Sequence, residues 1–124
     1  MKTTTKNYET IKGLAIALKK EENISTGFSL IKTSEKNIVF GQMTFNHIKH
    51  NTNHNWLELS YKLDNDVCIN AMIISNFVSA TKTITTTIIP ESDCGDKTTI
   101  QNIEYTIYLK DTDETVKLKT SKQI

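Results

Sequence analysis

The sequence predicts an α+β domain spanning residues 1–124, with one N-terminal α-helix packed on a mostly antiparallel sheet of six to seven strands. Three observations predict it. Apolar residues recur at three- and four-residue steps between Lys6 and Glu22, the signature of one buried helical stripe. Beyond Asn23 the rhythm changes to an alternation of two, which marks half-buried strands. Short segments rich in Asp, Asn and Ser separate the alternating runs and supply turns.

The helix is expected over 6–22, with Tyr8, Ile11, Leu14 or Ala15, and Leu18 on its apolar side. Thr5 is the expected N-cap, and Asn23 ends the helix by taking a left-handed conformation. Gly13 costs about 1 kcal/mol against alanine inside a helix, which implies that something packs close to it. Ser25–Thr33 and Asn37–His47 read as strands joined by Ser34-Glu35-Lys36, with Val39, Met43 and Phe45 on one face and Ile38 and Phe40 on the other. A polar loop is expected from Lys49 to Asn55. Trp56–Leu63 then alternates, placing Leu57, Leu59, Tyr61 and Leu63 opposite Glu58, Ser60 and Lys62.

Asp64-Asn65-Asp66 reads as a turn. Val67–Val78 suits a buried strand better than a short helix, because its β-branched residues lie among β-rich neighbours. Ala80–Ile89 is a threonine- and isoleucine-rich strand, 90–97 a loop, and Thr98–Lys110 a strand aligning Ile103, Tyr105, Ile107 and Leu109. A turn at Asp111-Thr112-Asp113 leads into Glu114–Thr120, where Val116 and Leu118 alternate with lysines. Consecutive strands joined this way pair antiparallel, and the helix must bury its stripe against them. A curved sheet around the helix, cystatin-like or NTF2-like in outline, satisfies both demands; so does a β-sandwich with an accessory helix.

Net charge is +1, and all fifteen basic residues are lysines. Bidentate recognition of phosphate and guanine is mainly arginine chemistry, so the composition argues against a nucleic-acid partner. No apolar run approaches the roughly 18 residues that span a membrane. Gly13–Leu18, six apolar residues followed by Lys19-Lys20-Glu21-Glu22, is too short for a secretory signal, so a cytoplasmic chain is expected. Cys68 and Cys94 form no CxxC pattern and are expected as reduced thiols.

The most chemical-looking feature is His47, His50 and His54, in the string Asn46-His-Ile-Lys-His-Asn-Thr-Asn-His-Asn55. Their spacing would align imidazoles on a helix, but the β-rich, Asn-rich surroundings argue for an exposed polar loop, and no metal is expected. Cys94 is flanked by Asp93 and Asp96, which oppose thiolate formation, and Cys68 sits in an apolar run. Asp64/Asp66 and Asp111/Asp113/Glu114 lack the spacing of a calcium loop and read as turn formers. Thr81, Thr83, Thr85 and Thr87 form one row of an ordinary solvent face.

Catalytic and cofactor motifs such as HExxH, GxSxG and GxGxxG do not occur, so no cofactor or catalytic residue is assigned. Trp56, Phe40, His50 and His54 are the candidate ligand- or partner-binding residues. The expected function is a non-enzymatic binding protein for a protein partner or small ligand, with a phage or mobile-element accessory role suggested by the short chain and by its high Lys, Asn, Ile and Thr content, which an AT-rich coding sequence produces. A homo-oligomer is expected. The alternatives are a structural subunit of a symmetric assembly and a small enzyme with a His-bearing pocket.

Overall fold

The computed structural model describes residues 2–22, 28–33, 38–63, 65, 67–90, 97–110 and 115–123. Among these, one helix and nine strands follow in the order β1 (Lys2–Tyr8), α1 (Ile11–Glu22), β2 (Phe28–Thr33), β3 (Ile38–Phe45), β4 (His47–Asn51), β5 (Trp56–Lys62), β6 (Cys68–Ile74), β7 (Phe77–Pro90), β8 (Lys97–Leu109) and β9 (Thr115–Gln123). The chain is mostly antiparallel sheet with one short helix. Its strands are divided between a six-stranded sheet, β1-β7-β8-β9-β2-β3, and a three-stranded sheet, β4-β5-β6, where the sequence suggested six to seven strands in one sheet.

Alternation across the pleat sorts the large sheet into two faces. Ala80, Ile103, Tyr105, Ile107, Val116 and Leu118 are in register with one another and buried, so they define the inner face. The other face sets Thr3 against Thr85, Thr5 against Thr83 and Thr81 against Thr106. The threonine row expected on one strand is therefore part of a lattice across three.

Helix α1 contacts β1 and β7 of the large sheet and β4 and β5 of the small one. Leu14 and Leu18 are completely buried, Ile11 and Ala15 nearly so, in one core with Phe45, Ile48, Leu57, Leu59 and Ile74. Removing a large side chain from such a core typically costs about 2–5 kcal/mol. The helix thus fills the space between the two sheets.

Only Asn46 separates β3 from β4, and it carries the chain from one sheet to the other. Its backbone N–H donates to the Ser60 carbonyl at 3.0 Å. Its side-chain Oδ1 accepts the Lys62 N–H at 2.7 Å, and its Nδ2 donates to the Lys62 carbonyl at 3.1 Å. The carboxamide stands in for a peptide unit, so the corner leaves neither Lys62 backbone group unpaired.

The structure corrects several expectations. The helix begins at Ile11, not Lys6, because residues 2–8 pair with β7 along their whole length, from Lys2↔Thr86 to Tyr8↔Ala80. Tyr8 therefore ends a strand, Thr5 lies within that strand, and Thr10 caps the helix by accepting the Gly13 N–H on Oγ1 at 3.0 Å. Gly13 is explained by the same cap: a Cβ there would lie 3.1 Å from Thr10 Oγ1.

The strand expected over 37–47 breaks at Asn46, and the polar loop expected over 49–55 is mostly strand. Residues 47–51 pair with 56–60, leaving a four-residue turn at 52–55 in which Asn55 takes a left-handed φ of 52°. Leu63 lies beyond the end of β5 and is exposed, so it does not share the buried side of Leu57 and Leu59. The run 67–78 is β-structure divided between β6 and the start of β7. The turns expected at 34–36 and 111–113, with Asn23, Asp64, Asp66 and Cys94, lie outside the described residues.

Candidate functional site

On its inner face the large sheet presents side chains in rows that cross four strands. Tyr8–Ala80–Ile107–Val116 lies under α1, and the next row is Lys6–Lys82–Tyr105–Leu118. Thr4–Ile84–Ile103–Thr120 follows, then Lys2–Thr86–Gln101–Lys122. The face thus changes from apolar to lysine- and threonine-bearing within two rows. The last turn of α1 sits at that change.

Helical spacing brings Glu21 there. Ile11, Leu14, Leu18 and Glu21 follow steps of three and four, so a carboxylate occupies the final place on the buried stripe. A buried carboxylate demands a counter-charge. Lys82 provides it, its Nζ 3.0 Å from Glu21 Oε1, with side chains only 15% and 7% exposed. Glu21 Oε2 is also buried and has no hydrogen-bond partner among the described residues.

Two tyrosines complete the setting. Lys82 Nζ lies 5.5 Å from the centre of the Tyr105 ring and Lys6 Nζ 5.4 Å from that of Tyr8, both within cation–π range. The rings are 6.2 Å apart and tilted by 32°. Burial pushes the Tyr105 phenol well above its ordinary range, with Glu21 and then Tyr8 adding to the shift. The phenol is a neutral group at any ordinary pH.

A cleft of about 200 Å³ opens between α1 and this corner of the sheet, bounded by Lys6, Tyr8, Ile16, Lys20, Glu21 and Lys82, with Gly13 and Ala17 in its wall. A second cavity of about 200 Å³ is lined by Thr4, Thr5, Lys6, Lys82 and Ile84. The two share Lys6 and Lys82. Among the described residues that line the first, three are lysines and one is a carboxylate, which is already paired with Lys82. The arrangement holds an excess of positive charge beside a partly desolvated wall, which suits it to bind an anion.

The residues singled out from sequence lie elsewhere. His50, His54 and Trp56 come together at the β4–β5 hairpin. The His54 ring stacks on Trp56 with centroids 4.2 Å apart and planes 14° from parallel. His50 Nε2 is 3.2 Å from Asn55 Oδ1, and Asn51 Oδ1 accepts the His54 N–H at 3.2 Å. The indole Nε1 is buried without a hydrogen-bond partner among the described residues.

Phe40 is separate, on β3 opposite Lys32 in the large sheet. Strand parity also divides the histidines. His50 is in register with Leu57 and His47 with Ser60, which places them on opposite faces of the small sheet. Among the described residues no group of three His, Cys, Asp or Glu gathers to hold a metal ion.

Glu21 and Lys82 were missed, yet each left a trace in the sequence. A charge at the next step of the Ile11-Leu14-Leu18 stripe, and a lysine on the Ala80/Ile84 side of a strand, both break an apolar pattern. No helix of the described residues is long and apolar enough to cross a membrane. Comparison with protein-family models, curated proteins and solved structures finds no match to the chain.

Proposed function

We propose that the chain is a non-enzymatic binding module that captures a small anionic ligand in the cleft between α1 and the β1–β7 edge. The observation that carries this reading is the charge distribution: Lys6, Lys20 and Lys82 border the cleft, and the one carboxylate among the described residues that line it, Glu21, is committed to Lys82. Lys6 and Lys20 are exposed and can turn toward a ligand without disturbing the core. The reading takes the chain as cytoplasmic and needs no cofactor. It also departs from the His-bearing pocket considered for an enzyme, since His50 and His54 lie on the hairpin and do not line the cleft.

Titration calorimetry with acetate and inorganic phosphate tests the proposal. Binding is expected to weaken as salt rises and to be lost in a Lys6→Gln/Lys20→Gln variant of unchanged melting temperature. Undiminished binding in that variant removes the cleft from consideration.

A second reading, as a subunit of a symmetric assembly, draws on one feature. β6 is an edge strand whose seven residues, CINAMII, carry no charge, and its Ile73 is half exposed. Edges left without lysine or proline invite pairing with another strand. Light scattering tests this: a dimer that Ile73→Lys converts to monomer supports it, and a monomer at high concentration removes it.

A further inference from the structure

We propose, resting on the anion-site reading above, that the ligand is an amphiphile: a small anionic head on a short apolar tail, with the tail lying in the second cavity. The two cavities share Lys6 and Lys82, so a molecule held by those lysines lies beside both spaces. They differ in chemistry. The first adds Lys20 and Glu21 to the shared lysines, whereas the second adds Ile84, Thr4 and Thr5, with no acidic residue among the described residues that line it.

Ile84 is itself packed against the core, so it is a fixed apolar surface. Lysine is suited to the boundary between them, because its methylene stem covers apolar surface while its ammonium group stays polar. Lys6 and Lys82 offer stems to a tail, and Lys6 offers its charge to a head. A space of about 200 Å³ equals roughly six or seven waters at ~30 Å³ each, which matches a tail of a few carbons. Lysines act as point charges without the fixed fork of arginine, so the head is defined by its charge, and carboxylate or phosphate monoester both qualify.

The test is titration calorimetry with hexanoate, hexyl phosphate, acetate, inorganic phosphate and hexanol. Each six-carbon anion is expected to bind about tenfold more tightly than its tail-less counterpart, the effect of partly burying several methylenes. Ile84→Thr should erase that tenfold advantage while leaving acetate and phosphate binding unchanged. Thr4→Trp, at an exposed edge position, should do the same by filling the cavity without touching the core. Preference for one six-carbon anion over the other identifies the head.

Equal affinity for the long and short anions overturns the tail assignment and leaves the anion site standing. Hexanol binding as tightly as hexanoate overturns the head assignment. Failure of all four anions overturns the anion site and the amphiphile together.

Discussion

The α1 cleft and the β4–β5 hairpin both gather charged or polar groups around aromatic rings, but they are assembled in different ways. In the cleft the decisive pair, Glu21 and Lys82, is 61 positions apart in sequence, with the carboxylate buried and the lysine partly so. At the hairpin the contacts link residues two to five positions apart: His54 on Trp56, His50 with Asn55, His54 with Asn51. The first depends on the helix, β1, β7 and β8 all being in place. The second needs only a turn. A constellation held by tertiary structure couples to global stability, whereas one held by local chain geometry does not, and the two regions should respond to mutation accordingly.

The largest difference is expected on removing a charge from the cleft. Lys82→Ala leaves Glu21 buried without its counter-ion, and urea unfolding should show a loss of about 3–5 kcal/mol. Glu21→Leu/Lys82→Met should recover most of that loss, because an apolar pair carries no desolvation penalty. A loss below about 1 kcal/mol for Lys82→Ala would mean that water reaches the carboxylate, and the contrast with the hairpin would collapse.

Alkaline titration is the next in size. The Tyr105 phenol is held above its ordinary value mainly by burial, so the folded chain keeps its proton where the unfolded chain, near its ordinary value of about 10, gives it up. This contribution is fully present below that value and is lost as pH rises beyond it, at up to ~1.4 kcal/mol per pH unit. Stability measured between pH 9 and 11 should fall more steeply in the parent chain than in Tyr105→Phe. Parallel slopes would show that the phenol is hydrated.

A smaller effect is expected where the cleft depends on a local device. Thr10→Ala removes the oxygen that accepts the Gly13 N–H at the start of α1, and chemical unfolding should show a loss of about 1 kcal/mol. The smallest belongs to the hairpin. His54→Ala removes a ring stacked on Trp56, and stability should change by less than about 1 kcal/mol while tryptophan emission shifts as one indole face is uncovered. A loss comparable to that of Lys82→Ala would show that the hairpin, too, is tied into the core.

Legibility from sequence follows the same division. The helical stripe through Ile11, Leu14 and Leu18 and the strands carrying Ile103, Tyr105, Ile107, Val116 and Leu118 were readable because periodicity is local and burial follows it. Residues 2–8 were not, since their strand exists by pairing with β7, far along the chain, and Tyr8 fits a helical repeat and a strand end equally well. The hairpin trio of His50, His54 and Trp56 could be chosen from sequence because those residues are neighbours. Phe40, chosen with them, belongs to the other sheet.

By itself, then, the sequence determined the type of most elements, the inward-facing residues of the long strands and the absence of arginine chemistry from any site, all consequences of residue identity and short-range spacing. Tertiary structure decided that the strands divide into two sheets, that Asn46 turns the chain between them, and that Glu21 meets Lys82 beside two tyrosines. The physical reason is that periodicity reports which way a side chain points but not what it will meet. Only the closure of distant strands around α1 gives the buried carboxylate its lysine and the cleft its charge.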